Sequence, residues 1–253
     1  MSKYLGQHFL KDKNKVEIII KALEISEGDF IIEIGPGKGA LTRKLISVDK
    51  SIELVGVEKD KKLAKKLKKR LDSDEIKIKE GDILKVLPSL ANKINKEYKI
   101  IGNIPYYITG QLFRVLSGLK NKPVKIVLTV QREVAQRVAS RPPKMNKLAA
   151  SVQVWGEVNI IDYISKECFV PVPKVDSAVI KVVPFENRVN EKYYKVMRAV
   201  FKHPRKTVLN NLYLGLDIDK EKLKNVLTKI NVPKNARPQE LNIKNIKKMS
   251  IML

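Results

Sequence analysis

The chain has 253 residues, and its 51 Lys and Arg against 27 Asp and Glu give a net charge of +24 at pH 7. Such a surplus attracts polyanions, so the composition favours a nucleic-acid partner. The single cysteine, Cys168, excludes an intramolecular disulfide framework, and two histidines far apart exclude a zinc site with histidine spacing, so we expect no bound metal.

The N-terminal residues lack the apolar stretch of a signal peptide, and no run approaches the ~20 apolar residues of a membrane span. We therefore expect a cytoplasmic protein without a membrane partner. The length predicts one larger domain and a small accessory domain.

The first predicted strand leads into a glycine-rich turn. Residues 30–34 are a short apolar run, followed by Gly35, Gly37 and Gly39 and by a helical pattern at residues 40–45. Strand, glycine turn and helix begin a doubly wound α/β fold, in which glycines let the backbone approach a cofactor closely. Alone, this loop is compatible with a dinucleotide, a mononucleotide or tight packing.

Carboxylates follow the next two predicted strands. Residues 52–57 end at Glu58, where a carboxylate can accept both hydroxyls of an unphosphorylated ribose, although a solvent-facing charge is the alternative. Residues 76–79 precede Asp82, which either binds an adenine amino group or caps the turn. Between these strands, residues 59–70 predict an amphipathic helix whose lysines face solvent.

The tetrapeptide at residues 103–106, Asn-Ile-Pro-Tyr, follows a predicted buried strand at residues 98–102. The Asn103 side-chain oxygen and the Ile104 carbonyl can accept hydrogen bonds from an amine, because Pro105 keeps the local backbone stiff. Tyr106 offers a stacking face of the kind that enzymes acting on extruded bases need. The alternative is an ordinary turn with a packed tyrosine.

Strand patterns continue at residues 124–130, 152–164 and 178–183 and then stop. Helical patterns follow near residues 193–201, 206–213, 220–230 and 239–249. Residues 188–253 carry 16 Lys and Arg against 5 Asp and Glu, so we predict a small basic helical domain there that binds RNA, after a catalytic domain at residues 1–187.

In its motifs the chain resembles the rRNA adenine dimethyltransferases, a family of class I S-adenosylmethionine-dependent methyltransferases that modifies paired adenines near the end of small-subunit rRNA. The similarity covers most of the chain in the family's order, and its segments are residues 6–10, 33–39, 58, 82, 103–106, 131–137, 169–177 and 201–211. The resemblance implies a Rossmann-like class I methyltransferase sheet of seven strands, with an antiparallel hairpin among the last ones, and a small C-terminal helical domain.

The resemblance also implies roles for single residues. The cofactor would be S-adenosylmethionine, with S-adenosylhomocysteine as the product, held by an N-terminal arm at residues 1–11 and by the following residues: His8, Leu10, Gly35, Gly37, Gly39, Glu58, Asp82 and Asn103. The catalytic turn would comprise Asn103, Ile104, Pro105 and Tyr106, with Phe169 on the other face of the base. A core aromatic is the alternative for Phe169. Arg205 and Lys206 would bind RNA.

Transfer of the sulfonium methyl group to an adenine exocyclic nitrogen would then depend on positioning and electrostatics, without a dedicated general base. We expect a monomer that acts on small-subunit rRNA in a ribosomal subunit precursor. Two alternatives remain: a large-subunit rRNA adenine methyltransferase of the macrolide-resistance type, and a non-catalytic nucleic-acid-binding factor. His8 replaces the commoner Asn of the arm, and Met145-Asn146 departs from the family's Tyr-Gly.

Overall fold

The computed structural model describes residues 7–49, 51–71, 73–186 and 189–253. The first six residues of the predicted arm, Gly6 included, and the predicted domain boundary between residues 187 and 188 lie outside this described part. The strands are β1 (Phe9–Leu10), β2 (Phe30–Ile34), β3 (Glu53–Glu58), β4 (Ile76–Glu80), β5 (Tyr98–Asn103), β6 (Lys125–Gln131), β7 (Gly156–Ile164), β8 (Phe169–Val170) and β9 (Ser177–Pro184).

The helices alternate with strands in the first two thirds of the chain and then follow one another. They are α1 (Lys13–Leu23), α2 (Ala40–Val48), α3 (Lys61–Leu71), α4 (Ile83–Lys93), α5 (Thr109–Gly118), α6 (Arg132–Val138), α7 (Lys147–Gln153), α8 (Glu191–Val200), α9 (Val208–Gly215), α10 (Lys220–Lys229) and α11 (Ile243–Met252). Asp12 and Asp82 cap α1 and α4 by accepting backbone N–H groups of the first turn.

Seven of the strands form one sheet in the order β4-β3-β2-β5-β6-β9-β7. The strands from β4 to β6 are parallel, and β9 runs antiparallel to β6. The central strands β2, β5 and β6 are almost fully buried, as expected of parallel strands covered by helices on both faces. This arrangement confirms the predicted α/β fold with an antiparallel strand among the last ones.

The strand order places the functional motifs together. Crossover helices bring successive parallel strands into the sheet in the same direction, so their carboxyl ends meet at one edge. Ile34 pairs with Val57 on one side and with Gly102 on the other. The glycine loop, Glu58 and Asn103 therefore leave the sheet at the same edge.

A separate two-stranded sheet joins β1 to β8. Phe9 pairs with Val170, and Leu10 pairs with Phe169, in antiparallel register. The backbone N–H of Lys11 also donates to the carbonyl of Cys168, at 2.9 Å. This pairing fixes the described part of the arm.

The predicted strand at residues 152–164 begins later in the structure. Val152 and Gln153 belong to α7, which Asn146 caps by accepting the backbone N–H of Ala149, and β7 starts only at Gly156. Residues 148–152 do not alternate between apolar and polar side chains, so their pattern does not distinguish a buried helix from a strand. The N-cap at Asn146 favours the helix.

The chain divides into two compact units. The first comprises Met1–Ala135 and Val158–Pro184, and the second comprises Gln136–Glu157 and Phe185–Leu253. The second unit thus includes α7 in addition to the four C-terminal helices. Within it, Tyr193 of α8 is 2% exposed and its hydroxyl donates to the carbonyl of Ala150 in α7.

Candidate active site

A cavity of about 650 Å³ opens at the carboxyl edge of the sheet in the first unit. Its wall is built from the arm, the glycine loop, the end of β3 and the turn after β5. The residues predicted to form the site that line it are His8, Leu10, Gly35, Gly37, Glu58, Asn103, Ile104, Pro105 and Tyr106. Motifs up to 98 positions apart in sequence, from His8 to Tyr106, therefore form one wall.

The glycine loop needs its glycines because all three have positive φ angles, of +62° at Gly35, +60° at Gly37 and +77° at Gly39. A Cβ atom at Gly35 would meet no protein atom within 4 Å and would enter the cavity. Gly39, which was predicted to hold the cofactor, does not line the cavity, and a Cβ atom there would lie 2.9 Å from the side chain of Leu67. Gly35 thus leaves space for a ligand, and Gly39 allows α2 to pack closely.

Glu58 is a buried carboxylate, with 3% of its surface exposed. One of its oxygens accepts the backbone N–H of Gly37 at 2.8 Å, and the other accepts the backbone N–H of Asp60 at 2.8 Å. Burial raises the pKa of Glu58, and the two N–H donors oppose this effect. Each oxygen keeps a further lone pair, so the group can still accept hydroxyl hydrogens.

Asp82 lies beside a smaller cavity of about 40 Å³, together with Glu58 and Ile83. Its Oδ1 accepts the backbone N–H of Leu84 at 3.0 Å, and its Oδ2 accepts from Lys59 Nζ at 2.9 Å. Asp82 therefore acts as a helix cap in this structure. Its predicted contact with an adenine amino group stays a prediction.

The catalytic turn begins at the last residue of β5. Asn103 Nδ2 donates to the backbone carbonyl of His8 at 2.9 Å, which joins the turn to the arm. In the described part of the chain, no group donates to Asn103 Oδ1. Pro105 has φ −58° and ψ 134°, so the turn leaves the sheet in an extended conformation. Both polar groups predicted to hold an amine, Asn103 Oδ1 and the Ile104 carbonyl, thus belong to residues that line the cavity.

Two contacts fix the side chain of Tyr106, one at its hydroxyl group and one at a face of its ring. The hydroxyl shares a hydrogen bond of 2.8 Å with Ser177 Oγ, and Ser177 is fully buried at the start of β9. The ring stacks on the imidazole of His8, with 5.9 Å between the ring centroids and 25° between their planes. Burial raises the pKa of the Tyr106 hydroxyl, so this group stays protonated at neutral pH.

Phe169 does not line the cavity. Its side chain is 1% exposed and packs in the core with Leu10, Val16 and Ile164. In the structure Phe169 is therefore a core aromatic, which was the alternative to a stacking role. Its stacking on a target base stays a prediction.

Glu33 is a cavity residue that the sequence interpretation did not single out. It is 1% exposed, and its Oε2 atom has no hydrogen-bond partner. Burial, with the nearby Glu58 carboxylate, raises the pKa of Glu33 to about 7. The sequence does contain a signal for a functional role of Glu33: it is an acidic residue inside the apolar run of residues 30–34, and an acidic residue in a buried strand needs a partner.

Arg205 and Lys206 belong to the second unit and lie in the exposed turn between α8 and α9. The fully buried Asn211 holds this turn. Its Oδ1 accepts the backbone N–H of His203 at 2.9 Å, and its Nδ2 donates to the His203 carbonyl at 2.9 Å. The two basic side chains are therefore presented from a fixed backbone.

No group of three or more His, Cys, Asp or Glu side chains in the described ranges could hold a metal ion. Within the same ranges, each helix is too short or too polar to cross a bilayer.

The chain matches known proteins along nearly its full length. The family model for ribosomal RNA adenine dimethylase matches residues 1–249. Ribosomal RNA small subunit methyltransferase A of Mycoplasma mycoides is 35% identical over 250 residues, which cover 95% of this chain and 93% of that protein.

Two solved structures are similar over the whole chain. A dimethyladenosine transferase from Plasmodium falciparum has a TM-score of 0.79 at 25% identity and covers 96% of each chain. The 23S rRNA methyltransferase ErmE has a TM-score of 0.76 at 21% identity, covers 97% of this chain and 99% of its own, and shows the shared fold alone. Because the family model covers almost every residue and a curated relative is 35% identical, the chain belongs to the ribosomal RNA adenine dimethylase family.

Proposed function

We propose that this protein transfers methyl groups from S-adenosylmethionine to the exocyclic amines of two adjacent adenines near the 3′ end of small-subunit rRNA, and dimethylates both during ribosome assembly. The observation that supports the proposal is that Asn103, Ile104, the glycine loop and Glu58 all line the same cavity. A binding factor without catalysis would not need this combination. We further propose that it works as a cytoplasmic monomer.

The cavity residues fit S-adenosylmethionine and its product S-adenosylhomocysteine. The open space at Gly35 would admit the methionine part, and the unpartnered Glu33 Oε2 can accept from its ammonium group. Glu58 can accept the ribose hydroxyls, and Asp82 borders the smaller cavity where an adenine ring would lie. The chemistry that this cofactor supplies when bound is an electrophilic methyl group.

The protein's own contribution is to position and prepare the amine. An adenine amino group is a weak nucleophile because its lone pair is delocalised into the ring. Asn103 Oδ1 and the Ile104 carbonyl would accept its two hydrogens and so hold the nitrogen at the end of β5. Tyr106 would stack on the base, its ring held by Ser177. The methylated nitrogen is acidic enough to lose its proton to water, so no general base is required.

The small subunit is favoured over the large subunit as the target by the name of the more similar relative. The curated relative that is 35% identical is named for the small subunit, whereas the neighbour named for 23S rRNA is only 21% identical. The net charge of +24 and the fixed turn with Arg205 and Lys206 suit either RNA, because phosphate contacts carry no sequence information.

The test is to incubate the protein with labelled S-adenosylmethionine and either undermethylated small subunits or protein-free large-subunit rRNA, and then to map the modified bases. We expect dimethyladenine at two adjacent positions in the small subunit. Label only in the large-subunit rRNA would establish the resistance-type enzyme instead. Tight RNA binding without transfer to either substrate would establish a non-catalytic factor.

A further inference from the structure

An exposed tyrosine of the first unit carries a guanidinium group over its ring. The Cζ atom of Arg132 lies 5.0 Å from the centroid of the Tyr163 ring, which is a cation–π contact. Tyr163, near the end of β7, is 43% exposed, and the side chain of Arg132, the first residue of α6, is 52% exposed. Two planar groups thus lie together on the surface and are open to solvent.

Hydrogen bonds from neighbouring residues hold this pair in place. Lys15 Nζ donates to the carbonyl of Tyr163 at 2.9 Å and to Asp162 Oδ2 at 2.7 Å. The backbone N–H of Arg132 donates to the carbonyl of Asp176 at 3.0 Å. Because the backbone on both sides is fixed, a ligand that stacks on the ring has little further chain motion to suppress.

The pair is connected to the proposed base pocket by short contacts. Ser177, the residue after Asp176, shares a hydrogen bond with the hydroxyl of Tyr106. Gln131, the residue before Arg132, pairs with Ser177 across β6 and β9. Burial and, to a smaller extent, the Asp176 charge raise the pKa of the Tyr106 hydroxyl, which shows that this carboxylate lies near the ring. The exposed pair therefore lies at the same edge of the sheet as the catalytic turn.

The chemistry of the pair suits a nucleotide. A base of any identity can stack on an aromatic face, and a guanidinium group offers several donors to a phosphate. Arg132 Nη1 lies 3.6 Å from Asp176 Oδ2, which is longer than a hydrogen bond, so this ion pair leaves the guanidinium able to donate to a ligand. A planar apolar face beside a positive charge is complementary to one unit of a single-stranded nucleic acid.

We propose that Tyr163 and Arg132 bind a nucleotide that flanks the target adenine in the RNA strand. Its base stacks on the open face of Tyr163, and its phosphate accepts from the Arg132 guanidinium. This inference rests on the proposed function, in which an adenine enters the pocket next to Tyr106. An extruded adenine leaves its neighbours without a stacking partner, and a second aromatic face outside the pocket replaces that partner.

Three variants and a control separate the ring, its hydroxyl group and the charge. Tyr163→Ala removes the ring, Tyr163→Phe keeps the ring without the hydroxyl, and Arg132→Gln removes the charge. Ile161→Ala is the matched control, because Ile161 is a 38% exposed apolar side chain on the same face of β7, two residues earlier.

The measurements are kcat and KM for undermethylated small subunits at saturating S-adenosylmethionine, and the salt dependence of RNA affinity. We expect Tyr163→Ala to raise KM about 5- to 150-fold, the range for one lost base–aromatic stack, with kcat and the salt slope unchanged. Arg132→Gln should lower the slope of log affinity against log salt by about 1. Tyr163→Phe and Ile161→Ala should keep KM within about threefold of the parent.

Three results would overturn the flanking-nucleotide site and leave the proposed function standing. They are an unchanged KM in Tyr163→Ala, an equal rise in Tyr163→Phe, which assigns the effect to the hydroxyl group, and a parent-like salt slope in Arg132→Gln. A fall in kcat of Tyr163→Ala at unchanged KM would also overturn it, because the ring would then act on the catalytic turn. A parent protein that transfers no methyl group to small subunits would overturn the proposed function, and this inference with it.

Discussion

The buried carboxyl group of Glu33 should make the stability of the first unit fall as the pH rises. Its pKa is raised from 4.5 to about 7, because burial disfavours the charged form and Glu58 lies nearby. At about 1.4 kcal/mol per pKa unit, this shift corresponds to about 3 kcal/mol.

The sign follows from proton binding. Between pH 4.5 and 7 the folded protein holds this proton and the unfolded chain does not, so unfolding releases it. The destabilisation is therefore absent below pH 4.5, grows as the pH rises and is complete above about 7. Glu33→Gln keeps the shape without a titrating group. We compare the variant with the cofactor-free parent. The free energy of unfolding of the variant should exceed that of the parent by an amount that grows by about 2 to 3 kcal/mol as the pH rises from 5 to 8.

Amide hydrogen exchange in β2 is the suitable assay, because it reports the opening free energy of the sheet itself. Fluorescence of the single tryptophan, Trp155, would report on the second unit instead. Glu27→Gln, at an exposed carboxylate between α1 and β2, controls for the loss of one charge. A stability difference between Glu33→Gln and the parent that is independent of pH, or that grows toward acid, would refute the reasoning.

Three further predictions concern packing, the tyrosine and the RNA. Gly39→Ala should destabilise the first unit by at least about 1 kcal/mol in exchange measurements, because its φ is +77° and its Cβ atom would crowd Leu67 at 2.9 Å; an unchanged stability would contradict this. Tyr106→Phe and Ser177→Ala should each raise KM for the RNA. Because either change removes the same hydrogen bond, their effects should couple by about 0.5 to 2 kcal/mol in a double-mutant cycle. Additive effects would show that Ser177 does not act through Tyr106. Arg205→Ala and Lys206→Ala should each lower the slope of log affinity against log salt by about 1 in RNA titrations, whereas an unchanged slope would exclude phosphate contacts there.

Much of the fold follows from local sequence patterns. The apolar run before Gly35 and the carboxylates that follow strands β3 and β4 predict parallel strands whose ends meet at one edge. The structure and the family membership confirm the α/β fold and an rRNA adenine dimethyltransferase. Glu58 and Asn103 could be assigned to one site because the topology of such sheets leaves them no other edge.

Long-range contacts are what the sequence does not reveal. The pairing of Leu10 with Phe169 joins residues with no local pattern in common, and it decides that Phe169 faces the core. The stacking of His8 on Tyr106 likewise depends on that pairing and on the Asn103 hydrogen bond. The inclusion of residues 136–157 in the second unit involves the contact of α7 with α8, where the Tyr193 hydroxyl donates to the Ala150 carbonyl across 43 positions of sequence.

Single-turnover methyl transfer by Asn103→Ala tests the central claim most directly, with Asn225→Ala, an exposed asparagine of α10, as the control. We expect Asn103→Ala to lose at least about 100-fold in rate on undermethylated small subunits, while Asn225→Ala keeps the parent rate. The rates are compared at saturating S-adenosylmethionine, because Asn103 is itself assigned to the cofactor and holds the arm through the His8 carbonyl, so that weaker cofactor binding is expected in Asn103→Ala alone. An Asn103→Ala protein that transfers methyl groups at the parent rate would contradict a site in which this side chain holds the reacting amine.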